Sequence, residues 1–349
     1  MRIKNSIAFT IVLSLAFFVA PRSAHATYDP RLLPNNKVGI HILSESELPD
    51  AASLVNSNGG SWGYITFVIR EDERDTARWT RAFKEARTLH LIPIVRIATT
   101  SENAAWKEPK SGDARTWAEF LDTLPWPIQN RYVILFNEPN HPAEWGGTVN
   151  PQEYAQIARA YWEQLKRASA DFFVLPAGFD AAAPNSKGMM AIETYFAKMY
   201  EADPLVFSLF DGWTSHSYPN PAFSGSVDDQ GKTSIRGYQW EVAHLARYDI
   251  YPNLPIFITE TGWSHKNLKE QTVAQNYKKA FETAWNDNNI VAVTPFVLSY
   301  SQKPFQVFSW KESEGRFREA YHAVQSLTKI SGEPKLATKE LSELGFVPY

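Results

Sequence analysis

The sequence predicts an α/β fold in which eight parallel strands alternate with eight helices and close into one barrel domain. Three observations lead to this prediction. Short apolar runs alternate with amphipathic segments, eight such units fit a span near the usual ~250 residues of such barrels, and composition does not change abruptly between them. An open doubly wound sheet is the main alternative, but no glycine-rich turn follows the first predicted strand.

The individual elements follow from local pattern. Apolar or aromatic runs typical of buried strands occur at residues 37–43, 62–69, 91–98, 132–136, 172–177, 210–217, 255–260 and 291–300. Apolar residues at helical spacing predict helices at 48–56, 75–89, 117–124, 151–165, 191–200, 236–247, 273–284 and 317–327. The clearest helix begins with an N-cap candidate at Asn150, proline at its first position, and Glu153 placed to close a capping box.

The first 26 residues have the pattern of a signal peptide. Arg2 and Lys4 precede an apolar run at 7–20, and the sequence Ala-His-Ala at 24–26 suits cleavage before Thr27. An uncleaved membrane anchor is the alternative, although the run is short for a membrane span. We therefore expect a secreted or periplasmic protein without stable membrane insertion after cleavage, with a barrel domain at 27–330 and a tail at 331–349 that straps the barrel or is disordered.

Composition narrows the class of function. The net charge of −3 argues against nucleic-acid binding, and the absence of cysteine excludes disulfides and thiolate metal sites. The 12 tryptophans and 14% aromatic content exceed the needs of a core and weakly favour sugar binding, because pyranose faces stack on aromatic rings. No zinc, phosphate-loop or serine-elbow motif occurs, so we expect no metal and no cofactor. We expect a monomer.

Two glutamates stand out because each follows a predicted buried strand. Glu138 follows the apolar run at 132–136, and Glu260 ends the run at 255–260. Parallel strands of one barrel bring their carboxyl ends to the same face, so both carboxylates can line one pocket. Their separation of about three β/α units places them on the fourth and seventh strands. Paired carboxyl groups in different environments can protonate a leaving group and stabilise an oxocarbenium-like centre.

The motifs around these glutamates resemble those of clan A of the glycoside hydrolases, most closely families 39 and 5. The resemblance rests on Phe-Asn-Glu-Pro at 136–139, Thr-Glu-Thr-Gly-Trp at 259–263, and His-Ser-Tyr at 216–218. It implies a retaining β/α-barrel β-glycosidase that acts on a poly- or oligosaccharide, with Glu138 as acid/base and Glu260 as nucleophile. It also implies that Asn137 bonds the sugar 2-hydroxyl, His216 contacts the sugar, and Tyr218 donates to Glu260.

Other positions of the clan pattern leave alternatives open. The expected arginine near the nucleophile is Arg70 or Arg96, and we favour Arg96 because it interrupts an apolar strand. Tyr300 or Trp310 could provide the aromatic platform after the eighth strand, and Trp263 is a second platform candidate. His41 is a sugar contact or a histidine buried inside the barrel. Two other functions remain: a transglycosylase using the same residues, or a non-catalytic carbohydrate-binding barrel protein.

Overall fold

The computed structural model describes residues 27–102, 105–250, 253–312 and 315–337. Eight of its strands alternate with helices along the chain: β1 Gly39–His41, β2 Gly63–Arg70, β3 Leu91–Ala98, β6 Arg131–Leu135, β7 Phe172–Leu175, β8 Trp213–His216, β9 Ile256–Glu260 and β10 Ile290–Val293. The helices that follow them are α1 Leu48–Val55, α2 Thr76–Thr88, α3 Ala114–Thr123, α4 Pro151–Ala168, α5 Ile192–Ala202, α6 Gly237–Leu245, α7 Glu270–Glu282 and α8 Glu319–Gln325. The two remaining strands form an antiparallel pair after β3, β4 Ser101–Glu102 and β5 Ala105–Trp106, which the sequence pattern did not predict.

The parallel α/β prediction is confirmed, but one continuous eight-stranded sheet is not observed. Within the described residues the strands form a parallel five-stranded sheet, in the order β1-β2-β3-β6-β7, and a parallel three-stranded sheet, β10-β9-β8. The two sheets adjoin at two seams, and a single β-bridge connects them at each: Val38 with Val293 at one and Asp180 with His216 at the other. The last strand also ends at Val293, seven residues earlier than predicted, because the chain leaves the sheet before Phe296.

Two cores lie on opposite faces of the strands. The inner core joins both sheets, since Phe257 of β9 packs against Tyr132 of β6 and Phe173 of β7, with ring centroids 5.1 and 5.7 Å apart. The outer core fills the space between strands and helices. Helix α4 shows how sequence builds it: Asn150 accepts from the Glu153 amide, and Tyr154, Tyr161 and other apolar side chains of one face are buried.

The described part of the tail crosses the amino-terminal end of the strands. Ser331 bridges Ser61 before β2, and Leu336 bridges Ile128 before β6. The amine of Lys329 holds this segment to α8 by donating to three backbone carbonyls, those of Val324, Gln325 and Leu327. The predicted signal segment at 1–26 and the tail beyond residue 337 lie outside the described residues. Among the helices that are described, none combines the length and apolar character needed to cross a bilayer.

Candidate active site

The period of two along each strand points three polar side chains toward the inside of the strand layer, above the inner core. In β3, Ile92 and Ile94 belong to the inner core, so Arg96 lies on the same face near the carboxyl end. His41 ends β1 and His216 ends β8, and both are buried. Their convergence forms the floor of a polar site.

The chain bends sharply where β6 ends. Phe136 and Glu138 adopt positive φ angles of 72° and 28°, which residues with a Cβ rarely accept. The Glu138 amide donates to the Gly178 carbonyl at 3.0 Å, beyond β7. This bond holds the backbone of Glu138 at the carboxyl ends of the strands. Strain of this kind is common where a fold fixes a functional side chain.

Glu138 and Glu260 lie close together, as their positions at the ends of parallel strands predicted. One carboxylate oxygen of each, together with one nitrogen of His216, lies within 4.8 Å of the others. The Glu260 side chain is mostly buried and that of Glu138 somewhat less so. The two carboxyl groups therefore share one pocket but have different surroundings.

Glu260 is bonded on both of its oxygens. Arg96 donates to Oε1 at 2.5 Å, and the Tyr218 hydroxyl donates to Oε2 at 3.1 Å. Burial favours the neutral carboxylic acid, but the positive charges of His216 and Arg96 outweigh it and lower the pKa of Glu260 well below its usual range. The site therefore keeps Glu260 ionised. Arg70, the other sequence candidate, is exposed and pairs with Asp72.

His216 links the two carboxylates. Its Nδ1 lies 2.8 Å from Glu138 Oε1 and 3.9 Å from Glu260 Oε2. Burial opposes its protonation, yet the negative charges of Glu260 and Glu138 raise the pKa of His216 above the ordinary 6.5. The ring fits because residue 178 is glycine: a Cβ there would lie 2.1 Å from His216 Cδ2.

Glu144 is a third carboxyl group at the site, and the sequence analysis missed it. Its Oε2 accepts from Asn137 Nδ2 at 3.0 Å, while Asn137 Oδ1 accepts from Arg96 at 2.6 Å. Burial and then the nearby charge of Glu138 raise the pKa of Glu144 to about 7. Only its position seven residues after Asn137 in one loop could have drawn attention to it.

Aromatic side chains form one wall of the site, but they are largely not the ones expected. Phe296, three residues beyond β10, is half-buried between His41 and Tyr300, with ring centroids 5.3 and 6.1 Å away. Phe223 and Phe305 extend this wall and expose 36% and 46% of their surface. Tyr300, one of the two platform candidates after the eighth strand, lies on this wall beside Phe296, which the sequence analysis placed inside a strand.

The two tryptophan platforms are not supported. Trp263 is 1% exposed, donates its indole N–H to the Gly225 carbonyl, and packs edge-on against Tyr277. Trp310 is fully buried against the other side of the same tyrosine. Both rings fill the outer core, so neither has a free face for a sugar. Their place after strand ends made them look accessible, because the sequence does not show which way the chain turns next.

His41 occupies the bottom of the site. It is fully buried, neither ring nitrogen has a hydrogen-bond partner among the described residues, and burial followed by the charge of Arg96 lowers its pKa to about 3. It is therefore neutral. The position fits the buried alternative better than direct contact with a sugar.

The cluster of Glu138, His216 and Glu260 has the spacing of a possible metal site within the described chain. The atoms that a metal would need are already engaged, however. Arg96 and Tyr218 bond the two Glu260 oxygens, and His216 bonds Glu138. A fixed guanidinium at 2.5 Å from one carboxylate also repels a cation. The arrangement fits acid–base chemistry better than metal binding.

An open groove lies beside the site. Trp106 of β5 borders a cavity of about 20 Å³ next to Asn137 and Glu144, which is room for roughly one water molecule. The same tryptophan lines a groove of about 980 Å³, together with polar residues such as Lys107 and Lys110. This groove has room for a ligand much larger than one water.

Solved structures similar to this chain in fold include β/α-barrel glycoside hydrolases, and those of families 5, 39 and 128 belong to clan A. A GH5_18 protein from Streptomyces cattleya, solved in complex with GlcNAc, is 13% identical with a TM-score of 0.58, and the match covers 84% of this chain and 79% of the other.

Two further structures agree with this fold. A family 39 glycoside hydrolase from Bacteroides cellulosilyticus WH2 is 14% identical with a TM-score of 0.55, over 86% of this chain and 64% of the other. A GH128 endo-β-1,3-glucanase from Pseudomonas viridiflava is 17% identical with a TM-score of 0.51, over 84% and 98%. At these identities the likeness is one of fold. No family model and no curated protein sequence matches the chain.

Proposed function

We propose that this protein is a retaining β-glycoside hydrolase in which Glu138 is the general acid/base and Glu260 is the nucleophile. The observation that carries the proposal is the distance between the two carboxylates, whose oxygens lie within 4.8 Å. Retaining enzymes need about 5–5.5 Å between these groups, whereas inverting enzymes need about 6.5–9.5 Å to admit a water molecule. The spacing supports direct attack on the sugar.

The first step forms a glycosyl-enzyme. An ionised Glu260 oxygen attacks the anomeric carbon while Glu138 gives its proton to the departing glycosidic oxygen, so the C–O bond to the leaving group breaks. Arg96 and Tyr218 orient Glu260 and keep it charged before attack. Asn137 accepts a hydrogen bond from Arg96 beside Glu260, and we assign it the contact with the sugar 2-hydroxyl.

The second step releases the sugar. Glu138, now ionised, removes a proton from water, the water oxygen bonds the anomeric carbon, and the Glu260 ester breaks to restore the carboxylate. Two inversions give net retention. His216 Nδ1 lies 2.8 Å from Glu138, and protonation of the ring, which its raised pKa favours, strengthens the hydrogen bond that it donates to the carboxylate form.

The substrate class is a poly- or oligosaccharide. The groove of about 980 Å³ lined by Trp106 offers space beyond a single sugar ring, and Phe296 supplies an aromatic ring beside His41. An endo-β-1,3-glucanase is among the structures that share the fold. The segment at 1–26 supports export, where such polymers are encountered. The inner core and the bridges at both seams support a closed barrel.

Azide rescue tests both assigned roles. Purified residues 27–349 are screened on a polysaccharide panel and on 2,4-dinitrophenyl β-glycosides, with products identified by mass and NMR. Glu260→Ala should abolish turnover, and azide should restore it with formation of the α-glycosyl azide, because the small anion enters from the emptied nucleophile side. Glu138→Ala should still form the glycosyl-enzyme from the activated aryl substrate, whose leaving group needs no acid. Azide should then attack this intermediate and give the β-glycosyl azide.

Glu282→Ala is a matched control, since Glu282 is exposed on α7 far from the site. It should retain wild-type turnover. Normal activity of Glu260→Ala would refute the nucleophile assignment, and binding of oligosaccharides without any turnover by the wild type would indicate a binding protein. Products longer than the substrate would identify a transglycosylase on the same residues.

A further inference from the structure

Asn137 is held at both ends of its carboxamide. Its oxygen accepts from Arg96, and its nitrogen donates one of its two hydrogens to Glu144. Within the residues that the structure describes, no acceptor contacts the second amide hydrogen, which leaves it for a ligand. Because the two ends have opposite partners, a flipped amide would face its oxygen toward a carboxylate and its nitrogen toward a guanidinium.

Glu144 is itself rigidly placed. It ends a single 3-10 turn at Pro142–Glu144, immediately after the bend that positions Glu138. The next residue, Trp145, is fully buried and donates its indole N–H to Glu153 at 2.9 Å. This anchor fixes the backbone beside Glu144, and the hydrogen bond that Asn137 Nδ2 donates to its Oε2 orients the carboxylate.

We propose that Glu144 is a positioning residue that orients the Asn137 carboxamide. Through this amide it sets how much the sugar 2-hydroxyl contributes to kcat/KM. The inference rests on the proposed glycosidase function. It adds a residue beyond the acid/base and the nucleophile. Glu144 does not touch the reacting atoms; its effect reaches the substrate only through Asn137.

Several charged groups face Glu144 and control its ionisation. Glu138 and Glu260 disfavour the ionised form, Arg96 favours it, and His141 lies close enough to be affected by its charge. With a pKa of about 7, Glu144 changes from neutral to ionised across neutral pH. An ionised acceptor holds the Asn137 N–H more strongly than a neutral one. The contribution of the 2-hydroxyl should therefore grow as pH rises through 7.

The test compares substrates with and without the 2-hydroxyl. Among the 2,4-dinitrophenyl β-glucoside, xyloside, mannoside and cellobioside, the one that the wild type hydrolyses best is paired with its 2-deoxy counterpart. Glu144→Ala should lower kcat/KM on the 2-hydroxy substrate about 10- to 100-fold, mainly in kcat, and leave the 2-deoxy substrate unaffected. In an Asn137→Ala background the same substitution should have no further effect.

The ratio of kcat/KM for the two substrates gives a second readout, because pH effects common to both substrates cancel. In the wild type this ratio should rise with pH through about 7. In Glu144→Gln, which keeps a carbonyl acceptor but cannot titrate, it should be flat and most activity should remain. This variant also keeps the test decisive if Glu144→Ala does not fold. Glu163→Ala, exposed on α4, is the matched control.

An equal loss on both substrates, an added loss in the Asn137→Ala background, or unchanged kinetics in Glu144→Ala would each overturn the proposal. These outcomes differ from failure of the glycosidase function itself. That failure would appear as an inactive wild type or an active Glu260→Ala, whatever the behaviour of the Glu144 variants.

Discussion

Replacing Arg96 by methionine should change the pH dependence of activity more than it changes any other property of the enzyme. The guanidinium donates to Glu260 at 2.5 Å and to Asn137 at 2.6 Å, and both side chains of the ion pair are nearly buried. Methionine has similar bulk without charge. The substitution removes one of the positive groups that keep buried Glu260 ionised, so burial should raise the pKa of this carboxyl.

The size of the effect follows from general measurements. An adjacent arginine lowers a carboxyl pKa by about 1–3 units, so the acid limb of the kcat/KM profile should move up by about 1–3 pH units. Stability should fall as well. Breaking a buried pair costs about 3–5 kcal/mol, and we expect the lower end because Tyr218 and His216 still contact Glu260.

The lowered pKa of Glu260 also determines the direction in which the stability it contributes changes with pH. The folded-state pKa of Glu260 lies below its unfolded value of 4.5, so its contribution to stability is present above that pH and is lost as pH falls through the lowered value. The assay is kcat/KM and urea unfolding of wild type and variant between pH 3 and 8. Arg70→Met, an exposed arginine paired with Asp72, is the control. A profile that is unchanged in Arg96→Met would refute the argument.

Three further outcomes are expected. Gly178→Ala should displace His216 and lower kcat strongly, since the new Cβ would lie 2.1 Å from the ring; Gly112→Ala, with no atom within 4 Å, should be silent in the same assay. Stability contributed by His216 should be complete below pH 6.5 and be lost as pH rises through its raised pKa, which urea titrations of wild type and His216→Gln would show as converging curves. Trp263→Phe should lower the melting temperature but not KM, because this ring is core, whereas Phe296→Ala should raise KM; the reverse pattern would reinstate the tryptophan platform.

Local pattern was sufficient for much of the fold. Apolar runs marked the eight parallel strands, and the cap at Asn150 located α4 because capping depends on neighbours in sequence. The eighth strand is shorter than predicted, since, beyond Val293, Phe296 lies beside His41 and Leu298 joins the outer core instead of extending β10. The seams between the two sheets could not be foreseen, because pairing of distant strands depends on register.

The sequence by itself determined which carboxyl groups follow the ends of buried strands, and that is why Glu138 and Glu260 could be named in advance. Arg96, His216 and Tyr218 were named because the motifs resemble those of clan A. Parallel strands bring such ends together regardless of detail. Only the tertiary structure decided which aromatic rings are free, because Trp263 and Phe296 both follow strand ends and differ only in the direction in which their loops turn. It alone placed Glu144 against Asn137, since a hydrogen bond within a loop depends on backbone angles that composition and spacing do not fix.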